Sequence, residues 1–231
     1  MSARFLMWLT LADVTLLPVF VIAFIWRLQF LARWTWMLIL VWILASFLLH
    51  RDTPKTLGWR ADNLWPATKQ ALVVFGGFAA ALAAIGLALG APRQMPAHLV
   101  QWHRLEGYLA FCVMQQVALN SLFQNRMLTL FGIAGENPSS GVPKSANHAR
   151  SFWLPSLLTG ILFAICHWPN PVLVPLTLIG GAAMAWLFAR QRNVIPLAIG
   201  QAILGSLIFW AFPIAWHHHL RVGPGYFAWP H

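Results

Sequence analysis

Long apolar runs alternate along this chain with short polar connections that carry most of its charged residues. A bilayer core needs about 20 apolar residues per helix, and a helix satisfies its own backbone hydrogen bonds inside lipid. The pattern therefore predicts an all-α, polytopic transmembrane helix bundle of about seven spans. The predicted spans are 6–26, 34–50, 69–90, 105–128, 151–167, 171–190 and 194–212.

Composition supports an integral, multi-pass membrane protein with the lipid bilayer as its first partner. Of the 231 residues, 59% are hydrophobic and only 9% are charged, which is far more apolar surface than a water-soluble domain of this size needs. The net charge of +10 does not indicate nucleic acid, because the basic residues stand singly at the ends of apolar runs. Cys112 and Cys166 lie inside apolar runs and are interpreted as small buried hydrophobes.

Lys and Arg predict the orientation in the membrane, because cytoplasmic loops carry an excess of them. Ten lie on the side that holds the N-terminus and five on the other, which places the N-terminus inside a bacterial inner (cytoplasmic) membrane and the C-terminus outside. The ten are Arg4, Arg51, Lys55, Arg60, Lys69, Arg126, Lys144, Arg150, Arg190 and Arg192. The five are Arg27, Arg33, Arg93, Arg104 and Arg221.

Three segments follow from this organisation. We expect two N-terminal transmembrane helices in 1–54, a helical core in 55–212 and a short interfacial tail in 213–231. Residues 51–68 mix charges with large apolar side chains, which is typical of a segment in the interface plane. Residues 132–150 form the one long polar loop of the sequence.

Polar side chains inside the predicted spans are the candidate functional residues, because lipid does not tolerate unpaired amides or imidazoles. Gln116, Asn120 and Gln124 recur at every fourth position and so share one helix face. That face is either the wall of a cavity or a set of interhelical hydrogen bonds. A functional and a structural interpretation also stand side by side for the remaining candidates. In the structural one, His167 is a satisfied residue near a helix end and a small residue such as Gly205 lets another helix approach closely. The remaining candidates are Gln115, Phe163, His167, Gln201 and Gly205.

Two other polar features lie outside this set. Asp13 is an acid within the first span, which makes it a functional candidate or the partner of a group on another helix. The run 217–219 holds three consecutive histidines, which do not easily ligate one ion, so no metal site is predicted there. No cofactor is predicted.

The ordered motifs resemble the CPBP family, also called Abi or CAAX-protease-like, whose members are intramembrane proteases. The family pattern is a glutamate pair with an arginine four residues after the second glutamate, then Phe-(x)3-His, then His-(x)3-Asn. The strongest stretch is 160–170 (GILFAICHWPN), and segments 56–60 and 193–196 also fit. The resemblance covers roughly residues 55–210 and implies the same helical fold.

The chain departs from that pattern at most of its polar positions. The glutamate pair corresponds to Gln115 and Gln116, the arginine to Asn120, the second histidine to Gln201 and the asparagine to Gly205. Another register places Leu119 and Asn120 on the acids, which supplies no carboxylate either. In the family the glutamate is thought to activate water, and an amide cannot accept a proton near neutral pH.

The resemblance and its departures leave two main hypotheses. In the first, the fold is catalytically degenerate, and its groove, lined by Gln115, Asn120, Gln124, Phe163 and Gly205, binds a transmembrane segment, a lipid or other membrane subunits. In the second, the chain is an active intramembrane endopeptidase for prenylated or membrane peptides, with His167 as base and Gln116 and Gln201 as oxyanion donors. A third interpretation is a transporter-like or lipid-handling bundle. The sequence pattern shows no paired ionisable residues across spans, which argues against ion coupling.

Overall fold

The computed structural model describes residues 2–90, 102–133 and 152–228, without the side chains of 102–106. Every regular element in these ranges is helical. The elements are α1 (Ala3–Leu31, with a π-helical turn at Phe24–Leu28), α2 (Thr35–His50), α3 (Pro54–Leu57), α4 (Leu64–Ala88), α5 (Trp102–Gln116), the π-helix Val117–Gln124, α6 (Asn125–Leu130), α7 (Trp153–Cys166), α8 (Leu173–Gln191), α9 (Ile195–Ala211), α10 (Ile214–His217), a 3₁₀ turn (His218–Leu220) and α11 (Pro224–Phe227). Element α5, the π-helix and α6 follow without a break and are called the central rod.

Three helices are long and apolar enough to cross a membrane, namely α1, α4 and α8. Helices α2, α7 and α9 are apolar but shorter. Together with the central rod they correspond to the seven predicted spans, and the all-helical membrane fold is confirmed. The number of spans stays a prediction.

Small residues hold the core helices close together. A side chain at Gly160 of α7 would meet the backbone oxygen of Leu178 in α8 at 2.5 Å. A side chain at Gly200 of α9 would overlap the ring of Phe75 in α4. Phe163, Leu187, Phe188 and Leu197, among others, fill the space between these helices. Close packing of this kind stabilises helix pairs in lipid, where apolar contact alone favours no association.

The N-terminal helices attach to the rod through a buried charge network. Arg126 of α6 donates to the carboxylates of Asp13 in α1 (3.2 Å) and Asp52 beyond α2 (2.6 Å). Asp13 is fully buried and also accepts from Trp42 (3.0 Å) and Ser46 (2.5 Å) of α2. We call Asp13, Asp52 and Arg126 the charge network. Ionisable residues are therefore paired across spans, contrary to the sequence interpretation, and Arg126 is buried rather than exposed at a span end.

Polar groups of the core bind the backbone of residues 56–58, which lie within the predicted interfacial segment 51–68. Ser121 and Asn125 of the rod donate to the carbonyl oxygens of Leu57 (2.5 Å) and Thr56 (2.8 Å). The carbonyl of Gly58 accepts from the amide of Val194 at the start of α9 (2.9 Å). This segment therefore ties the rod to α9. The predicted loop 132–150 lies outside the described residues from position 134 onward.

Candidate functional site

The central rod and α9 bring their amides together in one hydrogen-bonded series. Asn120 donates from Nδ2 to Oε1 of Gln116 (2.5 Å), and Gln116 donates from Nε2 to Oε1 of Gln201 (2.6 Å). Gln201 in turn donates from Nε2 to Oε1 of Gln115 (2.6 Å). We call these four residues the amide chain. It joins positions separated by 85 residues in sequence, and it makes each side chain the partner of the next.

Most polar atoms of the amide chain are therefore committed to one another. Gln116 and Asn120 are fully buried, and the Nε2 of Gln116 also contacts the sulfur of Met184 at 3.1 Å. Within the described part of the chain, the Oδ1 of Asn120 is buried without a hydrogen-bond partner. Bonds of this type between helices contribute roughly 1 kcal/mol each in a membrane.

A cavity lies beside the amide chain, with an empty volume of ≈ 730 Å³ including space open to the outside. Five residues predicted from the sequence do line it, because α5, α7 and α9 converge there. Those five are Gln115, Phe163, His167, Gln201 and Gly205. Its other lining residues are Phe75, Tyr108, Phe111, Leu173, Leu176, Thr177, Gly180, Met184, Leu204, Ile208 and Leu220. None of the described residues in this wall is an aspartate, glutamate, lysine or arginine.

His167 lies directly after the last residue of α7, and its hydrogen bond fixes the tautomer of the ring. Its Nδ1 is 2.7 Å from the carbonyl oxygen of Phe163, which can only accept, so Nδ1 carries the hydrogen. The neutral ring then keeps a lone pair on Nε2, which makes no hydrogen bond to any described residue. The Phe163 ring meets the imidazole edge-on, with the centroids 4.6 Å apart. This geometry holds a fixed hydrogen-bond acceptor in the cavity wall.

Gly205 has a steric role that involves Tyr108, a wall residue that sequence reasoning missed. A side chain built there would overlap the hydroxyl oxygen of Tyr108 severely, so glycine makes room for the phenol. Tyr108 is one of two tyrosines in the chain and lies seven residues before Gln115. That spacing puts both residues on the same helix face two turns apart, which could have identified Tyr108 as a wall residue.

Two of the predicted groove residues do not line the cavity. Asn120 lies behind the wall, where it bonds to Gln116. Gln124 donates to Ser156 (3.3 Å) and accepts from Thr159 (2.6 Å), both on α7. The face shared by Gln116, Asn120 and Gln124 is directed at other helices, because neighbouring helix positions point about 100° apart and the cavity is lined by Gln115 rather than by Gln116. Gln124 is therefore an interhelical contact, and Gln116 too lies behind the wall.

The C-terminal tail closes one end of the cavity. Asn170 donates from Nδ2 to the carbonyls of His217 (2.8 Å) and Arg221 (3.0 Å), while its Oδ1 caps the start of α8. Between these two anchors, Leu220 lies in a left-handed conformation (φ 59°) and contributes to the cavity wall. Conformations of this kind cost roughly 1–2 kcal/mol for a residue with a side chain.

The histidines of the tail are engaged in structural contacts. His217 donates from Nε2 to the carbonyl of Phe212 (3.1 Å) and accepts at Nδ1 from the amide of Leu220 (3.2 Å). Both ring nitrogens are used, so His217 has no lone pair free for a metal. Burial, above all, lowers the pKa of His217 below its ordinary value of 6.5.

Comparison with known proteins gives one match. Residues 140–217 match the family model of the type II CAAX prenyl endopeptidase Rce1-like proteins. The matched region is about a third of the chain and contains His167 and Gln201, whereas the positions of the glutamate pair lie outside it. No curated protein and no solved structure matches the chain.

Proposed function

Since the match over residues 140–217 supports membership of the CAAX-protease-like family, we propose that this chain is a catalytically degenerate member. In this proposal, the former active-site cavity binds an apolar membrane component, such as a lipid or a transmembrane segment, without hydrolysing it. The membrane location follows from the apolar helices, and the binding role rests on the site.

The amide chain carries this proposal. In the family pattern a glutamate activates water, and both glutamate positions here hold glutamine. An amide has no basic lone pair near neutral pH, so neither Gln115 nor Gln116 can take a proton from water. The hydrogen bonds of 2.5–2.6 Å further show that these groups stabilise the bundle by bonding to each other. Loss of the acid is thus accompanied by a new structural use of its position.

The cavity itself favours binding as the retained function. A core without a ligand to accommodate normally packs to high density, with few voids. Here an open, mainly apolar space persists next to a fixed imidazole and several amides. Pockets that bind small molecules combine these two features, an apolar wall and a few oriented polar groups.

The test is cleavage of membrane peptides by the purified full-length protein in mild detergent. Peptides ending in a prenylated cysteine and unmodified transmembrane peptides serve as substrates, with mass spectrometry as the readout. We expect no cleavage above that of His167→Ala. Cleavage that disappears in His167→Ala would overturn the proposal. Glu106→Gln is measured in the same series, because Glu106 is a carboxylate two residues before the wall residue Tyr108. Any cleavage that this variant loses would identify Glu106 as the base and overturn the proposal.

The bare Nε2 of His167 favours a second candidate, an active endopeptidase. In that case His167 is the base, and the uncommitted N–H groups of Gln115 and Gln201 stabilise the oxyanion. It predicts that His167→Ala abolishes processing, whereas His167→Gln, which keeps a hydrogen-bonding side chain but no base, does not restore it. The first proposal predicts no difference between the three proteins in this assay.

A further inference from the structure

We propose that the cavity selects a neutral, long-chain membrane molecule with a single hydroxyl head group, that is, a membrane-resident alcohol. This inference rests on the proposed function, because it names the class of ligand that the non-hydrolytic cavity holds. It is argued from the charge, the hydrogen-bonding groups and the apolar surface of the wall.

The described wall residues disfavour ionic head groups. The described wall residues include no carboxylate, guanidinium or ammonium group. A fatty-acid carboxylate, a phosphate or an amine would therefore lose its hydration without gaining a counter-charge, which is costly in an apolar site. The charge network does not compensate, because Asp13, Asp52 and Arg126 pair with each other and none of them lines the cavity.

The wall residues have one free hydrogen-bond acceptor and two free donors, so a matching ligand group must both donate and accept hydrogen bonds. The acceptor is the Nε2 of His167, because Nδ1 is held by the carbonyl of Phe163. The donors are the NH₂ of Gln115, which bonds to no described residue, and the second N–H of Gln201, whose first goes to Gln115. A hydroxyl is the smallest neutral group that meets both requirements, since its hydrogen points to nitrogen and its lone pairs accept. An ester could only accept.

The remainder of the wall fits an aliphatic chain. Apolar side chains from α4, α8 and α9 surround the space beyond the polar groups, among them Phe75, Leu176, Leu204 and Ile208. Because the chain of such a ligand moves from one apolar environment to another, it fills this space at little cost, and the head group supplies the selection. The amides of Gln115 and Gln201 are hydrogen-bonded to each other (2.6 Å), and His167 lines the same cavity, so the three supply both the donors and the acceptor for one head group.

The experiment measures binding of four sixteen-carbon probes to the full-length protein in detergent by native mass spectrometry. The probes are hexadecanol, hexadecanoate, hexadecylamine and methyl hexadecanoate, used at about pH 8 so that the acid is ionised. We expect hexadecanol to bind about tenfold more tightly than the methyl ester, which corresponds to one additional hydrogen bond. The ionic probes should bind more weakly still.

Two variants and a control connect this preference to the wall. His167→Phe keeps a planar ring and removes the acceptor, so the ratio of alcohol to ester affinity should fall to about one. Gln115→Leu removes a donor and should weaken alcohol and ester together, which preserves their ratio. Cys166→Ala, next to His167 but not in the wall, should leave both affinities unchanged.

The outcomes separate this inference from the proposed function. A preference for hexadecanol that disappears in His167→Phe supports the inference. Equal binding of all four probes overturns it while leaving the cavity as a binding site. Cleavage of peptides that depends on His167 overturns the proposed function and the inference together. Absence of binding by every probe, with no cleavage, overturns the ligand class alone.

Discussion

The charge network and the amide chain both include residues of the central rod, and they differ in how buried polar groups are paired: by ion pairs in the first and by neutral hydrogen bonds in the second. Arg126, two residues beyond the π-helix, neutralises two carboxylates and joins α1 and α2 to the core. Gln116, just before the π-helix, meets a neutral amide on α9 beside the cavity. Charged groups thus lie where helices are held together, and neutral amides lie where a cavity adjoins. The cavity and the attachment of the N-terminal helices are separated along one rod.

The largest expected effect tests the charge network. Arg126→Leu leaves Asp13 as a fully buried carboxylate without its cation, and we expect the free energy of unfolding to fall by about 3–5 kcal/mol. Asp13→Leu combined with Arg126→Leu should recover most of that loss, because no unpaired charge then remains at Asp13. Unfolding in mixed detergent micelles measures both. An unaltered stability in the single variant would show that this network does not hold the N-terminal helices.

The next effect tests the wall between the rod and α9. Gly205→Ala places a methyl group on the Tyr108 hydroxyl, and overpacking of this kind costs about 1–3 kcal/mol. Gly180→Ala is the matched control, since it lines the same cavity with nothing within 4 Å of the added carbon. Adding Tyr108→Phe to Gly205→Ala should recover part of the stability. Equal losses at both glycines would contradict the proposed fit of the phenol.

A smaller effect measures the amide chain. Gln201→Leu leaves donors and acceptors of Gln115 and Gln116 unpaired, and we expect a loss of about 1 kcal/mol. A double-mutant cycle of Gln116→Leu and Gln201→Leu isolates their direct interaction. If this coupling were as large as that of the Arg126 and Asp13 pair, the distinction between an ionised attachment and a neutral site would disappear.

The smallest effect concerns pH and lies outside both clusters, in the tail. Because the pKa of His217 is lowered in the folded chain, the unfolded chain binds the additional proton as the pH falls below 6.5. The free energy of unfolding should therefore decrease as the pH falls through this range. Above it, His217 should contribute no pH dependence. In His217→Phe we expect a shallower slope between about pH 7 and pH 5. An identical slope in both proteins would exclude this contribution.

The helices could be predicted from the sequence because their length and apolar content answer a single requirement, the thickness of the bilayer. The convergence of His167, Gln201 and Gln115 was foreseen only through the family pattern, since positions 86 residues apart share no local periodicity. Gln124, predicted to line the groove, bonds to α7 instead, which is the other interpretation that its spacing allowed. The pairing of Asp13 with Arg126 spans 113 residues, and neither residue has a local motif that reveals it.

The eight-residue π-helix at Val117–Gln124 has a consequence for any change in chain length at this point. A π-helical turn holds about one residue more than an α-helical turn, so removing one residue would let the stretch become a regular α-helix with little change in the direction of the flanking helices. The two glutamines and the guanidinium after Asn125 would then both keep their partners. One inserted residue would instead turn everything after it by about 100° and force the chain to give up one of the two sets of contacts.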